Sequence, residues 1–534
     1  VFQAEVYAAQ FLTLGFLSLS MVAGGRWEEE GREWWKNVAY LASDDLQGRN
    51  VGSRGFDLAA DYVAEQYERT GLRAAGGEGY FQKISFAEAS LMSASLRLMR
   101  QGRVIPVAIP GEALINFNPF TAREVKARLV FAGYGLRIPE AGYDDLKGLP
   151  LRGAIVAYLT GGPHEIAGDL RAHYSSNEVR WHALAAAGAV GMIAIPNPNQ
   201  SETPWVRRTE SWASPKMSLA DPDMNYLKYL QLSATWNPTF AGELLAGSGH
   251  SFEEIVKADA NKTELPHFAI GCTLKAKVVV NSHLVGSKNV IAVHPGSDET
   301  LKNEYVVVSA HLDHLGIGKP AAHGSSVFHG AMDDASGVAS VIEIAKMLKH
   351  VSTKRSIVFL AVTGEEKGEL GSEYFARYPT VDGRIVADLN MDMFLPLFPL
   401  KWLEVQGLNE STLGSDIKAV AEEVGVQVQA DKEPDENRFI RSDQYSFVKV
   451  GVPALAFKFG YQKGDPEEKI FQKWYSSRYH AVKDDAEQPV DLEAAAQFND
   501  ILKALLLRLA DAGEAPKWND DSFFKRFAAT TFGM

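Results

Sequence analysis

At 534 residues the chain is longer than one hydrophobic core usually organises and has room for two or three domains. Its 46% hydrophobic and 23% charged residues are ordinary for a globular protein, and a net charge of −13 without a polybasic run excludes nucleic acid as a routine partner. One cysteine, Cys272, rules out an intrachain disulfide and reads as a small buried residue of a strand.

In chain order, Phe11–Ala23 is an apolar run followed by Gly24, Gly25 and an abrupt Arg26 with three glutamates after Trp27. It reads as the core and cleavage zone of a secretory signal peptide over residues 1–25, too short to span a bilayer. The expectation is an exported protein, periplasmic or secreted, with no stable membrane insertion once that segment is removed. Glu28–Ser43 has a helical pattern with acids in its first turn. Phe56–Thr70 is a second amphipathic helix, closed by Gly71. From about 95 to 270 the texture changes. Arg128–Leu136, Gly153–Leu159 and Val190–Ile195 read as strands between Gly- and Pro-rich loops, with a helix at Glu178–Ala187. His164, His173 and His182 lie there without carboxylates spaced as co-ligands, so they read as surface or core residues. Leu274–Asn281 and Asn289–His294 return to strand texture and open a part that continues to about 513.

The most informative stretch is Tyr305–Glu366. Val306–Val308 and Ile357–Val362 are β-branched apolar runs of the kind buried in parallel sheets, and Gly337–Leu348 between them has helical spacing. Each strand runs straight into polar residues: His311 and Asp313 after the first, Glu365 and Glu366 after the second. Sites in open α/β sheets form at such carboxyl ends. Asp333 precedes the helix, Asp392 follows another strand, and Tyr479-His480 adds a second imidazole. Histidines and carboxylates without thiolates suit zinc held for catalysis. One carboxylate between two ions, each completed by a histidine and another carboxylate, makes a two-metal site. His314, three residues after His311, takes no ligand role, because spacing in a loop does not enforce convergence, and His329 reads as a solvent-facing residue rather than a substrate contact. Glu369 and Glu373 read as outward helix charges. Beyond Asp392 come a strand at Trp402–Gln406, a helix at Leu413–Val424, a charged loop at Asp431–Arg438 and a strand at Val452–Phe459. A closing helix at Asp491–Leu509 has Asp491 as N-cap, and residues 514–534 read as a loosely attached tail.

In this order AHLDH, MDDASG, TGEEKGELGS, NMD and YHAVKDD resemble the two-zinc exopeptidase family, which includes bacterial leucine aminopeptidases, glutamate carboxypeptidase, glutaminyl cyclase and the transferrin receptor. The resemblance implies an α/β fold with a mixed, mostly parallel central sheet flanked by helices. Matched residue by residue, it implies two Zn²⁺ per chain: His311 and Asp392 on one, Glu366 and His480 on the other, and Asp333 bridging, with a cis peptide after it. Glu365 would be the general base for a hydroxide bridged between the metals. Asp313 would hydrogen-bond the His311 ring and fix its tautomer, and Tyr479 would donate to the tetrahedral oxyanion. Residues 95–270 are similar to a protease-associated domain, a small α/β insert that would narrow the cleft between peptidase parts 26–94 and 271–513. Where the family usually has Ser-Asp-His, this chain has Gln444, so that segment is read as pocket lining rather than a metal site.

The implied activity is removal of N-terminal residues from peptides. A carboxypeptidase or dipeptidase of the same chemistry, a glutaminyl cyclase and a non-catalytic receptor-like binding protein are the alternatives. The 54 residues after His480, against a long helical dimerisation domain in the carboxypeptidase and receptor branches, lean toward the aminopeptidase. The oligomeric state is left open.

Overall fold

The computed structural model describes residues 25–166, 168–200, 204–210, 212–319, 326–433 and 438–528. All of the signal-peptide reading except Gly25 therefore lies outside the described residues. The described chain forms two compact units, one from residues 25–84 with 286–528 and one from residues 85–285. The boundaries expected at 95 and 270 fall inside the strands Phe81–Arg100 and His267–His294, each of which begins in one unit and ends in the other. A boundary within a strand leaves no turn residues or change of composition to mark it.

In the first unit the strand Glu304–His311 lies between Ser356–Val362 and Arg384–Asn390 and is parallel to both. Ala454–Gly460 continues the sheet in parallel beside Arg384–Asn390. Trp402–Gln406 then turns it antiparallel, and so does Val290–His294 at the other side. The sheet is thus mixed and mostly parallel, the class expected. Every residue of Ser356–Val362 is buried, because helices cover both faces. Val306, Val308 and Ala310 pack with the helices Arg54–Thr70, Ser336–Met347 and Leu492–Asp511, while Val307, Val358 and Leu360 pack with Phe375 and Phe447 on the opposite face. Local signals behave as expected: Gly71 closes its helix at φ 84°, and the Asp491 carboxylate accepts from the Ala494 N–H at 2.9 Å.

Residues 514–528 are not the loose tail expected. Trp518 and Phe524 are buried with Tyr445, Val448 and Ala454, and the Trp518 indole N–H donates to the Gly451 carbonyl at 2.9 Å. Aromatic side chains carry enough apolar area to dock a segment with little regular structure of its own.

The second unit has its own parallel core. Glu124–Ala132, Ala154–Leu159, Gly191–Ile195 and Leu232–Trp236 lie in that order, with Ala113–Ile115 antiparallel at one end and residues 267–277 antiparallel at the other. Helices at Gly168–Ser175 and Asn177–Ala186 precede the third of these strands; only the latter was legible as a periodic pattern. Cys272 is buried in a strand and free, as read.

Candidate metal centre

Three neighbouring parallel strands of the first unit end at one edge, and each delivers acid or imidazole there. His311 ends the first, Glu365 and Glu366 follow the second, and Asp392 follows the third. Asp333 arrives on the turn before the helix Ser336–Met347, and His480 comes shortly after the helix Pro466–Ser477. The His311 Nε2 lies 3.1 Å from Asp333 Oδ1 and 3.8 Å from Asp392 Oδ1. Across Asp333, the His480 Nε2 lies 3.2 Å from Oδ2 and 3.4 Å from Glu366 Oε2. The two oxygens of Asp333 therefore face two separate donor sets. The Asp333–Asp334 peptide is cis.

His314, set aside in the sequence reading, belongs to this cluster. Its ring is fully buried and its Nδ1 lies 2.7 Å from Glu366 Oε1. Its backbone N–H donates to the Arg49 carbonyl, and a Cβ on Gly330 would come within 2.6 Å of its ring. Among the described residues, two groups of donor atoms lie close enough together to hold an ion: His311, Asp333 and Asp392, and His314, Asp333 and Glu366. The i,i+3 spacing in HLDH was its only sequence signal, and that spacing converges only because Arg49 and Gly330 shape the loop. His329 instead meets Asp44 at 2.8 Å, away from these groups.

Several residues that the sequence reading did not single out hold the cluster in place. The buried Arg49 guanidinium donates to four backbone carbonyls, those of Leu41, Leu312, His329 and Gly330, and so ties together the loops carrying His311 and Asp333. The Asp484 carboxylate accepts from the N–H groups of Met332 and Asp333. The Asp334 carboxylate accepts from His311, Gly337 and Met393. The Ser442 hydroxyl donates to Asp392 Oδ2 at 2.6 Å.

Asp313 acts differently from expectation. The His311 Nδ1–H donates to the Asp313 backbone carbonyl at 3.1 Å, whereas the Asp313 carboxylate accepts from the N–H groups of Glu365 and Glu366. The His311 tautomer is still set, leaving Nε2 to face Asp333 and Asp392. Glu369 and Glu373 also depart from the reading as outward helix charges. Glu369 stands half-buried at the N-cap position of the helix Leu370–Arg377 without a capping hydrogen bond, and burial raises its pKa to about 8. Glu373 accepts from Lys449 at 2.9 Å. Gln444 bonds Asn390 and the Phe439 carbonyl while lining the adjoining cavity, in keeping with its reading as pocket lining.

The electrostatics match a cation site. Burial alone would raise Asp333, yet contacts with His311 and His480 hold it well below the carboxylate range. Burial pushes Glu365 well above that range, and Asp392, Asp443 and Glu366 add to the rise. Burial, then Asp333, raises the Tyr479 hydroxyl, which stays protonated; its ring stacks on His480 at 4.0 Å. The buried atoms His311 Nε2, His314 Nδ1, Asp333 Oδ2, Glu366 Oε1 and Asp392 Oδ1 make no well-aligned hydrogen bond, although they lie within ion-pair distance of one another or of His480. Inward-facing buried acceptors without donors are costly unless a cation satisfies them. The residues present fit a pair of metal ions.

Residues 289–506 match the family described as Peptidase family M28. Over that segment, about two fifths of the chain, the protein is similar to this family. The fold agrees: an aminopeptidase from Aneurinibacillus sp. strain AM-1 superposes with a TM-score of 0.53 at 20% identity, over 91% of this chain and 95% of that one. Aminopeptidase YwaD of Bacillus subtilis is 26% identical over 240 residues, 43% of this chain and 48% of that protein. A probable leucine aminopeptidase 2 of Aspergillus oryzae is 30% identical over 210 residues, 37% and 39% of the two chains. A probable zinc metalloprotease of Pyrenophora teres f. teres is 34% identical over 110 residues. These alignments span from about a quarter to about half of the relatives' own lengths.

Proposed function

We propose that the protein is a zinc-dependent exopeptidase that removes N-terminal residues from peptides. The observation that carries this reading is the buried set of orphaned donor atoms disposed on both sides of Asp333. His311 and Asp392 would hold one zinc ion, Glu366 and His480 the other, and Asp333 would reach both; His314 stands beside Glu366 as a further donor. When bound, the metal supplies Lewis acidity at a scissile carbonyl and makes water in the site easier to deprotonate.

The remaining chemistry belongs to the side chains. Glu365 is half-buried beside the cluster with its proton affinity raised, so it is matched to taking a proton from water and returning it to the leaving amine. Tyr479, protonated on the cavity wall, is placed to donate to a developing oxyanion. The aminopeptidase relatives support attack from the N-terminus. Residues 85–285 we read as the protease-associated insert. Export rests on the Phe11–Ala23 run, and no helix among the described residues is long and apolar enough to cross a membrane.

The test is digestion of peptides with free or acetylated N-termini and free or amidated C-termini by the zinc-loaded protein, followed by mass spectrometry. Stepwise loss from free N-termini only, abolished in Glu365→Gln at unchanged zinc content, is the expected result. Loss from free C-termini moves the assignment to a carboxypeptidase. A well-folded, metal-replete protein that cleaves none of them overturns the peptidase reading.

A further inference from the structure

We propose that the cavity beside the metal centre binds a carboxylate of the substrate through Lys458, so that the enzyme favours peptides carrying an acidic group there over their neutral isosteres. The inference rests on the peptidase reading above and names its substrate class.

Lys458 lies on Ala454–Gly460, the strand parallel to the one that leads to Asp392. The register Asn390↔Ala456 puts Asp392 and Lys458 at the same level, each two residues farther toward the carboxyl edge. Ala456 pairs with Gln406 across the antiparallel neighbour, and both line a cavity of about 210 Å³. Lys458, two residues on and hence on the same face of the strand, lines it too, together with Asp392, Met393 and Tyr479. The cavity has space for a side chain or a short peptide end, not for a folded partner.

Two observations make this a binding site rather than a solvated wall. Lys458 is half-buried, and among the described residues its ammonium makes no hydrogen bond and no ion pair within 4.0 Å. The Gln406 amide nitrogen is buried and unpartnered in the same cavity, a second donor without an acceptor. The nearby acids are already engaged. Glu404, opposite Lys458 in register, meets Lys432 at 2.8 Å and Arg438 at 4.0 Å. Arg438 also pairs with Asp431 and Glu433. Carboxylates of the metal cluster line the same cavity as Lys458, so an incoming peptide end meets both signs of charge.

An N-terminal glutamate or aspartate carries both charges on one residue. The C-terminal carboxylate of a dipeptide is the other source of the same chemistry. The experiment uses the zinc-loaded full chain with Glu-Ala-Ala-amide, Gln-Ala-Ala-amide, Leu-Ala and Leu-Ala-amide, comparing wild type with Lys458→Met and Lys458→Arg. A charge-assisted hydrogen bond predicts a kcat/KM preference for the acid over its amide of roughly 10- to 100-fold. That preference falls to near one in Lys458→Met and is largely kept in Lys458→Arg. A Glu-over-Gln preference that depends on Lys458 assigns the carboxylate to the N-terminal side chain; a Leu-Ala-over-amide preference with the same dependence assigns it to the C-terminus. Equal rates within both pairs in wild type overturn the proposal while leaving the peptidase reading intact. If no peptide is cleaved, that reading fails, and titration calorimetry with glutarate against glutaramate decides the cavity alone. Tighter glutarate binding that is lost in Lys458→Met supports the carboxylate site, and equal binding overturns it.

Discussion

Residues 85–285 and the unit formed by residues 25–84 with 286–528 are both built around parallel strands, and both hold buried acids near histidines. They treat those acids in opposite ways. In the second unit Asp145 accepts from the N–H groups of Tyr134 and Leu136, from the Tyr143 hydroxyl and from His267. Asp259 there accepts from the Tyr134 hydroxyl and the Asn199 amide. Among the described residues, every buried carboxylate oxygen without a partner lies in the first unit: on Glu30, Asp333, Glu366, Asp388, Asp392 and Asp443. A satisfied acid stabilises the fold around it, whereas an unsatisfied one is tolerated where something else is to be bound. Acid count and proximity to histidine do not separate the two cases; hydrogen-bond satisfaction does.

Altering the acid at the centre of the orphaned set gives the largest expected effect. Asp333→Asn removes the carboxylate that faces both donor sets, and turnover drops by roughly a thousandfold or more. Zinc content, measured by mass spectrometry of the dialysed protein, drops with it. Retained stoichiometric zinc would move the centre of the site away from Asp333. In the second unit, Asp145→Ala leaves two backbone N–H groups, a tyrosine and a histidine without their acceptor. It costs about 3–5 kcal/mol in denaturant unfolding, with zinc content unchanged.

The sign of a third substitution sharpens the contrast. Neither oxygen of Asp443 makes a well-aligned hydrogen bond, and burial raises its pKa to about 7 against the opposing pull of His311 and Ser372. The folded metal-free protein therefore keeps a proton that the unfolded chain releases near 3.8. Stability from this group is present below 3.8 and is lost as pH rises toward about 7. Asp443→Asn removes that slope and raises the metal-free unfolding free energy at pH 8 by about 1–3 kcal/mol, the opposite of Asp145→Ala. A destabilised Asp443→Asn would show that the acid has a partner after all.

Much of the catalytic edge was legible because its signals are local. Val306–Val308 running into His311, and Ile357–Val362 running into Glu365 and Glu366, join a strand pattern directly to its chemistry within a few residues. What was missed depends on distant approach. Arg49 reaches the Leu312 carbonyl 263 residues away, and His314 becomes a donor only because that contact and Gly330 shape its loop. Asp313 was the right residue with the wrong atom, since sequence names a side chain while the fold selected its carbonyl. Lys458 was visible as the one charge in an apolar strand, but its partnerless state is a property of Glu404 being engaged by Lys432 and Arg438. The tail was misread because Trp518 and Phe524 dock without the periodicity that marks an element.

The smallest effect expected from the comparison concerns the satisfied side. His267 Nε2 meets Asp145 Oδ1 at 2.9 Å, and that contact, outweighing burial, raises the His267 pKa above its ordinary 6.5. A histidine with a raised folded-state pKa contributes stability that is full below its unfolded value and is lost as pH rises through the folded one. The ring is partly exposed, with 23% of its side-chain surface in solvent, so screening holds the contribution to about 1 kcal/mol or less. His267→Gln keeps a donor for Asp145 but cannot carry the charge. The difference in unfolding free energy between wild type and this variant should shrink from pH 5.5 to pH 8.5, while zinc content and peptidase rate stay level. A difference that does not change with pH would mean that His267 acts on Asp145 as a neutral donor, leaving the satisfied acid dependent on geometry alone.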